Sequence, residues 1–153
     1  MLRGRCSPVK GEGLVSYSAS TVIAAPRAQL MLLLRRVDQL PRWNPAISAV
    51  RTRDIEAVTG RAYPAVIRGL LPATLTYDRQ TSTEVAYTLS GLGASEAGRW
   101  TLVEESPGRT RVIHEFEHRG ALLHLLRANF APVAAWRVGR LRQVAEAAVA
   151  AAR

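Results

Sequence analysis

From Ile47 to Arg119 the sequence alternates in strand fashion almost without interruption, and the breaks are too short to hold a crossover helix. Strands are expected near Ile47–Ile55, Arg61–Gly69, Thr74–Gln80, Glu84–Ser90, Arg99–Glu104 and Thr110–Arg119. Between them stand Thr59-Gly60, Leu71-Pro72, Thr81-Ser82-Thr83, Gly91-Leu92-Gly93 and Pro107-Gly108, all turn-forming combinations. Parallel neighbours need a connection of a dozen or more residues, so this stretch must fold as an antiparallel meander. A sheet of this kind has one face to cover, and its cover has to come from the two ends of the chain.

The ends supply it. Val15 to Ala25 alternates Tyr17, Ala19, Thr21 and Ile23 with Ser16, Ser18 and Ser20, which adds a seventh strand. Pro26 stops that strand and suits a first helical turn, after which Arg27 to Val37 carries Leu30, Met31, Leu33, Leu34 and Val37 at helical spacing. Pro41 and Pro45 bracket Arg42-Trp43-Asn44, a second short helical piece anchored by Trp43. From Gly120 onward alanine and leucine dominate, and a long terminal helix is expected. Its apolar stripe would be Leu122, Leu125, Leu126, Phe130, Val133, Leu141, Val144 and Ala148, with a kink imposed by Pro132 around Asn129. Only this helix is large enough to cover the sheet. Residues 1–13, with three glycines and a proline, read as a flexible leader to a single domain over 14–153.

Composition narrows the function. With 48% hydrophobic and 22% charged residues, the chain of 153 residues is that of an ordinary globule with one core. It has no apolar run near the roughly 20 residues that cross a bilayer, and no signal-peptide pattern, so a cytoplasmic location is expected. The lone Cys6 offers neither an internal disulfide nor a thiolate pair for zinc. The net charge of +9 invites a nucleic-acid reading, but Lys10 is the one lysine, and arginine supplies the other 20 of 21 cations without any run of three. Nucleic acid is therefore not the expected partner. Attraction to an acidic partner or membrane surface fits better, and the densest region, Arg119 to Arg153, carries six arginines against the single acid Glu146.

Three segments resemble the Bet v 1-like or START-related helix-grip superfamily, which includes bacterial polyketide cyclases and dehydrases. They are Ile23-Ala24-Ala25-Pro26 leading into Leu30-Met31, then Leu40-Pro41-Arg42-Trp43-Asn44-Pro45, and last Gly98-Arg99-Trp100-Thr101-Leu102 with Gly108-Arg109-Thr110-Arg111-Val112. With the terminal helix the resemblance spans about residues 14–150. It implies an α+β helix-grip fold: a seven-stranded curved antiparallel sheet wrapped around a long C-terminal helix, with two short helices between strands 1 and 2. It also implies a hydrophobic or aromatic small-molecule ligand held between sheet and helix, with cyclisation or dehydration as the catalytic form of that role. A non-catalytic carrier of a lipid or quinone is the alternative, and a regulatory or toxin–antitoxin partner with a vestigial cavity is a third. The superfamily shares no catalytic signature, so fold alone does not decide among them.

Candidate site residues follow from the alternation. Val112, His114, Phe116 and His118 share one face of the last strand. If that face is inward, His114 is the candidate catalytic base for removing a proton beside a carbonyl, and His118 lies nearer the wet end. Tyr77, Tyr87 and Trp100 fall in phase with apolar neighbours and are expected to line the same interior, as are Phe130 and Val133 on the terminal helix. Arg68, between Ile67 and Gly69, would hold a carboxylate or carbonyl if it points inward, and Asn129 would reach the cavity from the helix. No three metal ligands converge, since Glu115 and Glu117 oppose the histidines and His124 sits on the helix. Gly91-Leu92-Gly93 is a hairpin turn with no helix after it, so no phosphate cradle and no cofactor are implied.

Overall fold

The computed structural model describes residues 14–153, and the leader expected over residues 1–13 lies outside the described residues. Seven strands form one curved antiparallel sheet in the order β1-β7-β6-β5-β4-β3-β2. They are β1 (Val15–Ile23), β2 (Ile47–Val50), β3 (Ala62–Ile67), β4 (Leu71–Gln80), β5 (Glu84–Gly91), β6 (Ala94–Ser106) and β7 (Arg109–Arg119). The one out-of-sequence neighbour is β1, which pairs along its whole length with β7, from Val15 opposite His118 to Ile23 opposite Thr110. Between β1 and β2 run α1 (Arg27–Arg35), a short 3-10 turn (Val37–Gln39) and α2 (Leu40–Trp43). The chain closes with α3 (Ala121–Leu125), α4 (Arg127–Phe130) and α5 (Val133–Ala151).

Several strand boundaries differ from the sequence expectation, and Leu71-Pro72, expected as a turn, opens β4 instead. β2 stops at Val50 rather than Ile55, and residues 51–61 cross to β3 as an irregular segment. Its polar residues bond locally instead of pairing in a ladder. Asp54 accepts hydrogen bonds from the Tyr63 hydroxyl at 2.7 Å and from Arg61 at 2.6 Å, and its own N–H donates to Thr52 Oγ1. β6 begins five residues earlier than expected, at Ala94, because Leu92 and Gly93 both take positive φ and close a tight hairpin right after Gly91. The same geometry at Arg68 and Gly69 closes the β3–β4 hairpin, so β3 ends at Ile67.

The terminal helix is broken twice rather than kinked once. Pro132 has no N–H to give to the preceding turn, and Leu126 departs from helical dihedrals at φ −90° and ψ 13°. Only α5 covers the sheet, and its buried residues Val133, Ala134, Arg137, Val138, Leu141 and Ala145 follow helical spacing. Nothing on α3 or α4 is buried, so Leu122, Leu125 and Leu126 of the expected stripe face outward. At the other end of the sheet, α1 buries Leu30, Met31 and Leu34, and Trp43 of α2 meets Trp100 edge to face with ring centroids 5.3 Å apart. Among the described residues no helix is long and apolar enough to cross a membrane.

If α5 alone carries the cover, shortening its buried side chains is costly and shortening those of α3 is not. Leu141→Ala should lower unfolding stability by about 2–5 kcal/mol, whereas Leu125→Ala should change it by less than about 0.5 kcal/mol. Urea melts of the two variants check this. Equal losses would mean that α3 packs as part of the core.

Candidate functional site

The inner face of β7 presents Thr110, Val112, His114, Phe116 and His118 in strict alternation, all buried. On β6 the inward residues are Glu96, Gly98, Trp100 and Leu102, and on β5 they are Val85, Tyr87 and Leu89. Cross-strand register brings Glu96 opposite His118, Trp100 opposite His114 and Tyr87 opposite Gly98. A Cβ at residue 98 would run into the Tyr87 ring, so glycine there is what lets the phenol lie across β6 toward Glu96. From the opposite side, Arg137 of α5 reaches into the same place.

The result is a buried ionic cluster in an otherwise apolar interior. Glu96 Oε1 accepts from the Tyr87 hydroxyl at 2.7 Å and from Arg137 Nη1 at 2.6 Å. Its Oε2 accepts from His118 Nε2 at 2.7 Å and from Arg137 Nη2 at 3.3 Å. These four bonds fill the acceptor capacity of a carboxylate. Burial alone would raise the Glu96 pKa, but Arg137 and the three hydrogen-bonding side chains override it and hold the carboxyl well below its ordinary range. Burial opposes the Arg137 charge in turn, and Tyr87 and Glu96 more than offset that. The guanidinium also lies over the Phe116 ring, 4.7 Å from its centroid.

The two histidines play different parts. His114 stacks flat on Trp100 at 3.8 Å between centroids, with Nδ1 3.2 Å from the Arg99 carbonyl and Nε2 3.4 Å from Arg137 Nη1. Burial and then the neighbouring Arg137 charge lower its pKa from 6.5 to about 3, so the ring is neutral at pH 7. A neutral ring donates from Nδ1 to the carbonyl and accepts at Nε2 from the guanidinium, which leaves no lone pair free. The His118 Nε2–H donates a hydrogen bond to Glu96, so in the neutral ring the lone pair lies on Nδ1. That atom is buried and has no partner among the described residues. A carboxylate that fixes the tautomer while the other nitrogen stays open is the arrangement of an oriented acid–base histidine. Phe130 stands perpendicular to the His118 ring with centroids 4.6 Å apart, and Tyr17 lies at 5.2 Å.

The expected site residues divide accordingly. Tyr77, Tyr87, Trp100, His114, Phe116, His118 and Val133 are all buried on the inner face, and Phe130 is half-buried at its edge. Arg68 and Asn129 are not part of this interior. Arg68 occupies the exposed left-handed position of the β3–β4 turn, and Asn129 lies exposed on α4, whose residues bury nothing. Glu96 and Arg137 were not among the expected residues, although each follows a visible phase. Counting back by twos from Trp100 through Gly98 reaches Glu96, and Arg137 sits four residues from both Val133 and Leu141. Among the described residues no group of three His, Cys, Asp or Glu side chains gathers to hold a metal.

These side chains nearly fill the grip. A partly open pocket beside Tyr87 and Trp100 has a volume of about 20 Å³, room for about one water molecule. It is lined by Leu34, Trp43, Asn44, Tyr77, Tyr87 and Trp100 among others, and the buried indole N–H of Trp43 has no acceptor among the described residues.

The family model for polyketide cyclase / dehydrase and lipid transport matches residues 23–142 of the chain. Among solved structures, the Zhui aromatase/cyclase from Streptomyces sp. R1128 is similar with a TM-score of 0.70 at 15% identity, covering 91% of this chain and 98% of that one. A hypothetical protein from Helicobacter pylori gives 0.71 at 10% identity, with 95% and 98% covered. A START superfamily protein from Mycobacterium smegmatis gives 0.60 at 15% identity, with 84% and 98% covered. At these identities the likeness is one of fold. No curated protein matches in sequence.

Two outcomes test the cluster. Glu96→Gln removes one charge and leaves Arg137 buried without its partner, which should cost about 3–5 kcal/mol, while the double replacement Glu96→Leu with Arg137→Met should regain most of that. A double variant no more stable than the single one would refute the ion-pair account. The second outcome concerns pH. Between 6.5 and about 3 the unfolded chain binds a proton that folded His114 refuses, so stability rises with pH across that window and is lost as pH falls through it. Urea midpoints measured from pH 7 to pH 5 should therefore fall more steeply for the wild type than for His114→Phe.

Proposed function

Because this chain belongs to the polyketide cyclase / dehydrase and lipid transport family, we propose that it binds an apolar small molecule bearing a carbonyl or phenolic oxygen between the sheet and α5, and that His118 performs proton transfer on it. The observation that carries this reading is the Glu96–His118 pair, with Nε2 tied to the carboxylate and Nδ1 open. An ion pair buried this deeply is no more stabilising than apolar side chains of the same volume, and ionisable groups with strongly shifted titration cluster at functional sites. His114, expected as the base, serves better as a neutral brace. Its nitrogens are both occupied, and a group with a pKa of about 3 is a weak base at neutral pH.

The chemistry is that of enolisation. His118 Nδ1 takes a proton from a carbon beside a carbonyl, and Glu96 stabilises the imidazolium that forms. The electron pair left on that carbon makes the new carbon–carbon bond to a second carbonyl carbon, and the imidazolium returns its proton to the resulting alkoxide. In a dehydration the same proton leaves instead with the hydroxyl group as water. A ligand pocket commonly measures about 300–1,000 Å³, so a substrate enters only if the interior opens. The segment that opens at least cost is 121–130. It buries no residue and is joined to β1 by one hydrogen bond from the Tyr17 hydroxyl to the Arg127 carbonyl, 3.3 Å long.

A carrier of a lipid or quinone is the second reading, favoured by the exposed leucines on α3 at this same opening. Native mass spectrometry and solvent extraction of the purified protein separate the outcomes. A defined hydrophobic compound should co-purify, and the wild type should convert it while His118→Gln binds it with little change in affinity and does not. Equal conversion by His118→Gln would remove His118 from the chemistry, and return of the compound unaltered by either protein would establish the carrier. A protein that carries no compound and takes up no naphthalene-sulfonate fluorophore would overturn ligand binding altogether.

A further inference from the structure

The two ends of the sheet differ in chemistry. At one end lie the β3–β4 and β5–β6 turns, the start of β1 and the end of β7 with α3 beyond it. Close approach ties these pieces together, since a Cβ at Gly120 would meet Ala94 and the Gly93 carbonyl, and one at Gly91 would meet the Pro72 carbonyl. The large apolar side chains of this end face outward: Leu70 is 82% exposed, Leu71 43%, Leu92 70%, Leu122 61% and Leu125 75%. Trp136, in the first turn of α5, is 55% exposed. Monomers seldom leave such a set uncovered at one place.

Charge says what covers it. Arg68, Arg119 and Arg127 belong to the same end, and among the described residues none of them has a carboxylate partner; elsewhere six exposed arginines pair with Asp38, Asp54, Glu84, Glu115, Glu105 and Glu146, while others such as Arg27, Arg51, Arg53 and Arg109 make no ion pair. The sequence has no Asp or Glu between residues 118 and 145, nor in either turn. Carboxylates gather at the opposite end, with Glu84 beside the β4–β5 turn and Glu104 and Glu105 beside the β6–β7 turn. A second copy of this chain would bring a like-charged arginine ring against the first. A surface that combines apolar depth with fixed negative charge meets both features at once.

We propose that this end of the molecule docks on an anionic lipid surface, with the leucines of both turns and α3 entering the acyl boundary and Arg68, Arg119 and Arg127 binding phosphate headgroups. The docking does not rest on what the interior holds, because every residue that makes it lies outside the grip. Tryptophan at the level of Trp136 suits the headgroup region, where an apolar ring and a polar N–H are both satisfied.

Vesicle co-sedimentation with the full chain tests it. The wild type should bind phosphatidylglycerol-containing vesicles at least about tenfold more tightly than pure phosphatidylcholine, since each arginine near such a surface contributes about fivefold. That preference should vanish near 1 M NaCl, where the screening length falls to about 3 Å. Leu122→Gln with Leu125→Gln removes apolar depth without adding negative charge, and Arg68→Gln with Arg119→Gln and Arg127→Gln removes charge alone. Each set should weaken binding about tenfold or more with thermal melts unchanged, as expected for exposed positions. Equal binding to both vesicle types, or no loss in either variant set, overturns the proposal. A monomer that ignores phosphatidylglycerol vesicles overturns it too, and so does a dimer by light scattering that Leu122→Gln with Leu125→Gln dissolves.

Discussion

One ion pair, Glu96 with Arg137, ties the sheet to the helix that covers it. It is the charged contact made by the face of α5 that Val133, Val138 and Leu141 otherwise bury by apolar packing. Apolar side chains tolerate a sliding helix, because the dispersion attraction given up at one position is partly recovered at the next. A guanidinium that must place two nitrogens on one carboxylate does not. Together with Glu146, whose Oε1 accepts from the Ala24 N–H at 3.0 Å, the pair fixes where along the sheet α5 sits, and the polar contacts of the interior depend on that position. It aligns the carboxylate for Tyr87 and His118, adds its charge to the burial that keeps His114 neutral, and lays the guanidinium over Phe116.

The fold was legible because its punctuation is strong. Turn residues at four of the five expected places and Pro26 mark element ends, Leu71-Pro72 being the exception that lies inside β4, and an antiparallel meander follows from the short connections alone. The inward face of β7 was equally legible, since alternation by two is set by backbone geometry. The two residues that sequence reasoning missed share a cause. Charged residues read as solvated unless a partner is known, and the partner of Arg137 lies 41 residues away on β6. Glu96 falls outside a strand expected to start at Arg99, although the positive φ of Leu92 and Gly93 lets the strand start at Ala94. Arg68 misleads for the converse reason: an apolar neighbourhood looks like strand interior, but its backbone turns left-handed there. The stripe of leucines on α3 shows a further limit. Periodicity identifies a helix face as apolar, but it does not tell whether any surface stands opposite to bury it.

The interior also separates two properties that the helix-grip architecture usually joins. A grip can offer volume, or it can offer placed polar groups. Here Trp100, Tyr87, Phe116 and the ionic cluster occupy the space between sheet and α5, and the pocket that Tyr87 and Trp100 share with α1 and α2 holds about one water. The polar groups hold one another in place through their own hydrogen bonds. Preorganisation of this kind matters most for chemistry in which charge develops at one atom, because the surrounding dipoles need not reorient when it does. It costs capacity, which on the proposed reading is restored by moving part of the wall.

The wall that moves is decided by where stabilising burial ends. α5 is fixed by the ion pair and by side chains with almost no exposed surface, so the grip cannot widen there without losing several kcal/mol per buried side chain. α3 and α4 are separated from it by Pro132, which removes the backbone hydrogen bond that would carry rigidity from one piece to the next. On the proposed reading the opening falls on residues 121–130, whose last residue, Phe130, stands beside the open nitrogen of His118. The same residues bear exposed leucines and Arg127, so contact with an apolar, negatively charged surface would act on the one part of the wall that is free to shift. Any differential binding of such a surface to the open form would move the equilibrium toward it by that difference and no more.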